Sequence, residues 1–205
     1  MLILICEPKK MKILAFSDFH GMYGLTNHFL EVRKKIAEKQ PDILIFCGDF
    51  RNQISVHLLE SRLRRLKFPE IYYVWGNSDE LAPDFTLKVG TNLHLKPILL
   101  RTDFVICGLG GDELDVQKNF QKLEALLSEK SFKRLILISH IPPFGFCDTA
   151  VEGTHAGSKL WRELIDKFQP ILCLFGHIHE DAQKRVLFKS TTFWNIGSHG
   201  AFIEL

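Results

Sequence analysis

No apolar run in the chain extends much beyond five residues, far short of the roughly 20 that a membrane-spanning helix requires. The N-terminal MLILICEPKK carries no basic residue ahead of its apolar stretch and no small-residue cleavage site, so it does not read as a secretory signal. There is no CxxC pair. The five cysteines (Cys6, Cys47, Cys107, Cys147, Cys173) are an odd number, and four lie in apolar runs, which suits buried free thiols in a reducing cytoplasm. Charge of one sign is not in excess either: 26 Lys plus Arg against 24 Asp plus Glu leaves +2. A general nucleic-acid or membrane-surface role needs a stronger basic balance, so neither partner is expected. Internal repeats, low-complexity tracts and linker-like stretches are also missing, and the 205 residues read as one domain. At 46% hydrophobic and 24% charged, the composition excludes disorder and a coiled coil.

What is present is an alternation. KILAFS (12–17), DILIFC (42–47), IYYVW (71–75), DFVICG (103–108), RLILIS (134–139) and ILCLF (171–175) are nearly continuous apolar runs, as in strands buried on both faces. Between them lie stripes at helical spacing: Leu25-Phe29-Val32-Ile36, Val56-Leu59-Leu63-Leu66, Val116-Phe120-Leu123-Leu127 and Leu160-Leu164-Ile165-Phe168. After Asp181 come RVLFKS, TTFWNI and AFIEL, too closely spaced for intervening helices and expected to pair antiparallel. The class is α/β.

The chemistry sits where the strands end. KILAFS runs into Asp18-Phe19-His20, DILIFC into Gly48-Asp49, IYYVW into Gly76-Asn77-Ser78-Asp79, RLILIS into His140, and ILCLF into Gly176-His177-Ile178-His179. Ligands of open α/β sheets bind at the carboxyl ends of strands. Each motif alone is weak, since nine His in 205 residues yield a chance H-x-H about 0.4 times. All five after buried strands form a pattern. Two Asp, one Asn and four His are too many for a closed tetrahedral zinc, which takes four ligands. They suit two divalent ions sharing a carboxylate, with open positions for a bridging hydroxide and substrate. Two such ions less Asp18, Asp49 and a hydroxide leave about +1, which favours an anionic phosphate ester.

The ordered set D-x-H, G-D, G-N-x-D, S-H and G-H-x-H, followed by Asn195-Ile196-Gly197-Ser198, resembles the calcineurin-like metallophosphoesterase superfamily. The stretch from Ser139 to Glu180 is most similar to its small class III phosphodiesterase-type members. The resemblance implies a four-layer α/β/β/α sandwich and a dinuclear centre. Asp18, His20 and His179 would hold one ion, and Asn77, His140 and His177 the other, with Asp49 bridging. Asp49 and His140 are the implied catalytic pair. Mn²⁺ is the favoured metal, with Fe²⁺, Zn²⁺ or Ni²⁺ compatible. Residues 1–10 would extend the usual start of the fold, and LILIC could add an edge strand.

One position departs from the pattern. Where the family has a His thought to protonate the leaving group, this chain has Ser78, a poor acid at neutral pH. Ser78 carries no ligand role in this alignment. His155 and His199, in loops of the same half, are substitute candidates, against the plainer reading of exposed loop histidines. Gly108-Leu109-Gly110-Gly111 could suggest a dinucleotide loop, but Glu113 stands where the third glycine belongs. Arg62, Arg64, Arg65 and Lys67 read as a solvated helix face, and Trp75, Trp161 and Trp194 as core. The expected activity is therefore a metal-dependent phosphoesterase acting on small phosphate esters, diesters before monoesters. The rival is a non-catalytic metal-binding scaffold for protein–protein contact, favoured by Ser78 and disfavoured by seven intact ligands. A nuclease is disfavoured by the near-neutral charge.

Overall fold

The computed structural model describes residues 10–66, 70–79, 86–101, 103–129 and 132–205. The apolar runs become strands: β1 (Lys12–Phe16), β2 (Ile43–Cys47) and β3 (Ile71–Val74), with the short β4 (Thr91–Asn92) beside them. The second half supplies β5 (Ile98–Leu100), β6 (Phe104–Leu109), β7 (Arg134–Ser139), β8 (Leu172–Phe175), β9 (Arg185–Phe188), β10 (Thr191–Asn195) and β11 (Ala201–Glu204). They form two sheets, ordered β11-β1-β2-β3-β4 and β5-β6-β7-β8-β10-β9.

Strand alternation sorts the side chains into layers. Ile13, Ala15, Ile43 and Ile45 point inward and meet Ile106, Ile136, Ile138 and Leu174 of the other sheet. Leu14, Phe16, Leu44 and Phe46 point outward onto Val32 of α1 (Met22–Lys39) and Val56, Leu59 and Leu63 of α2 (Gln53–Leu66). Cys107, Leu135, Leu137 and Cys173 likewise meet Val116, Leu123 and Leu127 of α3 (Glu113–Ser128) and Trp161 and Leu164 of α4 (Lys159–Phe168). The result is the α/β/β/α sandwich, and because both faces of each sheet are covered, the strands could be apolar throughout.

Three details differ from the sequence reading. β11 and β9 pair antiparallel, to β1 and β10 respectively, but β10 lies parallel to β8. The chain skips a place after β8, so β9, exposed at all four residues, takes the edge and the better-buried β10 takes the interior. On α4 the buried face is Trp161, Leu164 and Ile165, while Leu160 and Phe168 are only partly covered. β4 and β5 are two and three residues long, too short to register as periodicity. The suggested LILIC strand lies outside the described residues.

Other expectations hold. Trp75 and Trp161 are buried and Trp194 packs against the central core. Cys47, Cys147 and Cys173 are buried free thiols, and Cys107 is buried with them in the core. The Gly108–Gly111 stretch closes β6 and leads into α3, whose start is capped by Asp112 accepting from the N–H groups of Leu114 and Asp115. Among the described residues no helix is long and apolar enough to cross a membrane.

Candidate metal centre

The loops after β1, β2 and β3 bring Asp18, His20, Asp49 and Asn77 to the rim of one sheet. Those after β7 and β8 bring His140, His177 and His179 to the facing rim. The two sets meet. Asp18, His20 and His179 place ligand atoms within 4.8 Å of one another, as do Asp18, Asp49 and His140. Asp49 stands between the halves, with one oxygen 3.5 Å from His20 Nδ1 and the other 3.3 Å from His140 Nε2. Asn77 Oδ1 is 2.9 Å from His140 Nε2, and the His177 ring lies 5.1 Å from the His140 ring, centre to centre. All seven sequence-predicted residues are thus in one cluster. Asp18, Asp49 and His140 are buried at its floor, while Asn77 and His179 are exposed at its mouth.

The protonation pattern suits a cation. Cys47's carbonyl can only accept, so His140 Nδ1 donates to it at 2.8 Å. A neutral imidazole then has a bare lone pair on Nε2, which faces two more acceptors, the Asn77 and Asp49 oxygens. Three acceptors aimed at one point need a positive charge among them. His20 Nε2 and His179 Nε2 are 2.9 Å apart, a gap that takes either a proton or an ion. Two imidazole nitrogens about 2.1 Å from one ion, at right angles, lie about 3.0 Å apart. Burial, and then the neighbouring His140, lower the pKa of His177, which keeps it a neutral donor of its lone pair.

The backbone has been bent to achieve this. Asp18, His20, Asp49 and His177 all have positive φ, at 60°, 48°, 63° and 72°. Non-glycine residues seldom adopt that region, and such conformations cost about 1–3 kcal/mol each. Four of seven candidate ligands in this state marks a locus where side-chain placement outweighs backbone comfort. The preceding glycines are needed for closeness: a Cβ on Gly76 would fall on the Asp49 carboxylate, and one on Gly176 would fall on Ser17 and Asp18.

Residues 11–181 match the profile of the calcineurin-like phosphoesterases. The chain belongs to that family. A protein of Pseudoalteromonas sp. (strain SM9913), named probable cyclic nucleotide phosphodiesterase PSM_A2567, is 26% identical over 184 residues, covering 83% of this chain and 69% of the relative. TT1561 of Thermus thermophilus superposes with a TM-score of 0.72 at 18% identity, covering 93% of this chain and 91% of that one. GAP50, the anchor in the inner membrane complex of Plasmodium, superposes at 0.64 with 11% identity, over 94% of this chain and 73% of that one. Those two likenesses speak to the fold. The family binds divalent metals, and the acceptor-rich cluster of this phosphoesterase has the donor set for them.

Several supports of the centre had no assigned role in the sequence reading. Asp79, buried, accepts from the backbone N–H groups of Gly76 at 2.7 Å, Asp49 at 3.1 Å and Arg51 at 2.5 Å, tying together the two loops that carry Asp49 and Asn77. Burial pushes its carboxyl up to about 6 even against those donors. Ser78 donates its hydroxyl and its N–H to the two oxygens of Asp49. Ser17 donates to the Cys47 carbonyl at 3.0 Å. Asn195, fully buried, donates to the carbonyl of Ile178, between His177 and His179, at 2.8 Å, and Gly197's carbonyl accepts from Ser17 N–H. The Asn195–Gly197 element therefore braces ligand loops of both sheets. The only signal for these was position, inside or beside the ligand motifs. His155 and His199 are engaged elsewhere: His155 Nδ1 lies 2.7 Å from Asp148 and His199 Nδ1 3.2 Å from Glu31.

Proposed function

We propose that this phosphoesterase is a cytoplasmic phosphodiesterase that uses two divalent ions, with Asp18, His20 and His179 on one, Asn77, His140 and His177 on the other, and Asp49 shared. The observation that carries the reading is the convergence of acceptors at His140 Nε2, with Asn77 Oδ1 at 2.9 Å and Asp49 Oδ1 at 3.3 Å. When bound, the ions supply Lewis acidity to the phosphoryl group and lower the pKa of water. Mixed oxygen and nitrogen donors do not select strongly among Mn²⁺, Fe²⁺, Zn²⁺ and Ni²⁺, and Mn²⁺ is the ion we favour.

The residues then divide the work. Two carboxylates hold the ions, and neutral Asn77 keeps the centre from becoming too anionic for a phosphate. The remaining charge of about +1 suits the single charge of a diester better than the two of a monoester. The diester name of the Pseudoalteromonas relative supports the same class. Among the described residues, Asn77 and His179 leave the mouth of the centre exposed to an approaching phosphate ester. Ser78 offers no acid for the leaving group, so departure depends on the leaving group itself.

Ser78 is also the one feature favouring a non-catalytic scaffold. One assay separates the two: bis-p-nitrophenyl phosphate and p-nitrophenyl phosphate with metal-free protein reconstituted in turn with Mn²⁺, Fe²⁺, Zn²⁺, Ni²⁺ and Mg²⁺. Metal-dependent turnover with the diester ahead supports the reading. Tight metal binding with no turnover on either ester transfers it to the scaffold.

A further inference from the structure

We propose that His28, Glu31 and His199 form a third cation site, outside the seven-residue centre and suited to a borderline divalent ion such as Zn²⁺. His28 and Glu31 are one turn apart on α1, so they share a face. His199 arrives from the crossover between β10 and β11. One ligand atom from each lies within 4.8 Å of the others. The His28 and His199 rings stand edge to face, 5.5 Å apart at 89°. His20–His179 and His140–His177, the two imidazole pairs of the proposed dinuclear centre, show the same arrangement at 4.8 Å and 5.1 Å. Two imidazoles on one tetrahedral ion have ring centres about 5 Å apart, given a metal–nitrogen bond of about 2.1 Å.

The surroundings fit an ion. Glu31 Oε2 is 3.2 Å from His199 Nδ1, the separation of neighbouring ligand atoms. Lys35 holds the other oxygen, Oε1, at 3.2 Å and donates to the His199 carbonyl, so it fixes the carboxylate and the loop while leaving Oε2 available. Lys35 is the cation of the cluster, and Glu31 offsets it. Phe19 stacks on His28 at 6.2 Å and backs the site with an apolar wall. Two imidazoles and a carboxylate leave one position of a tetrahedral ion open. An ion here would fasten α1 to the loop whose Gly197 carbonyl holds Ser17.

The test is equilibrium dialysis of the metal-stripped full chain against micromolar free Zn²⁺, with metal analysis of wild type, His28→Gln, Glu31→Gln, His199→Gln and Asp49→Ala. Each of the first three substitutions should remove one ion per chain, and Asp49→Ala should retain that ion. In wild type, the ring resonances of His28 and His199 should shift together during the Zn²⁺ titration, a readout that needs no variant to fold. Unchanged stoichiometry in His199→Gln, or ring shifts only at millimolar Zn²⁺, overturns the site. If wild type binds a single ion that His199→Gln abolishes, the third site stands and the dinuclear reading fails. If it binds two and Asp49→Ala loses both, the dinuclear reading stands and the third site fails.

Discussion

Ser78 grips both oxygens of Asp49, its backbone N–H on Oδ1 and its hydroxyl on Oδ2, each at 3.0 Å. The residue that takes the place of a proton donor is thus a clamp on the carboxylate proposed to be shared by the two ions. Partners that orient metal-binding carboxylates are commonly worth 10–100-fold in metal affinity. Ser78→Ala should weaken metal binding about tenfold while the fold stays intact, as read by competition with a chromophoric chelator. Unchanged affinity would make the hydroxyl a bystander.

Asp49→Ala should lose both ions of the centre. Its carboxylate faces His20 on one side and His140 on the other, so removal leaves two cations without a shared anion. Metal analysis after dialysis against micromolar Mn²⁺ should find neither of these two sites filled.

Without an acid at position 78, hydrolysis should depend steeply on the leaving group. Nitrophenyl diesters should turn over measurably and alkyl diesters much more slowly, by a factor that exceeds the 10²–10⁴ typical of a lost general acid. Ser78→His should narrow that gap. It should also lower metal affinity, because the imidazole cannot reproduce the hydroxyl's bond to Asp49. Rates measured against leaving-group pKa at saturating Mn²⁺ separate the two effects.

His94 should make the metal-free protein acid-sensitive. Its ring lies on Trp75 with centroids 4.2 Å apart, and Nδ1 accepts from Gly110 N–H at 3.1 Å. Burial pushes its pKa down to about 4 from an ordinary 6.5. Between those values the unfolded chain binds a proton that the folded chain refuses, so stability falls as pH drops from 6.5 to 4 and is unaffected above. In EDTA, the Tm of wild type should fall further between pH 7.5 and 5.0 than that of His94→Gln.

The sequence exposed the parts of this molecule that follow from local pattern. Buried strands announce themselves as apolar runs, and the residues after them must lie at strand ends, so Asp18, His20, Asp49, Asn77, His140, His177 and His179 could be gathered from pattern alone. What stayed hidden depends on distance along the chain. His199 meets Glu31 across 168 positions, and Ser78 meets Asp49 across 29. The positive φ of Asp18, His20 and His177 was hidden too, since side chains of those types do not declare backbone strain as glycine does.

β11 has a consequence for synthesis on the ribosome. It lies beside β1, pairing Lys12 with Glu204 and Ala15 with Ala201, although nearly the whole chain is made between them. Until Ala201–Glu204 emerge, one edge of β1 keeps its backbone donors and acceptors open to other chains. The Asp18 loop also waits for its brace, since Ser17 N–H donates to the carbonyl of Gly197. A nascent chain stalled after β10 therefore holds the histidine half of the centre on a finished sheet and the aspartate half on an unfinished one.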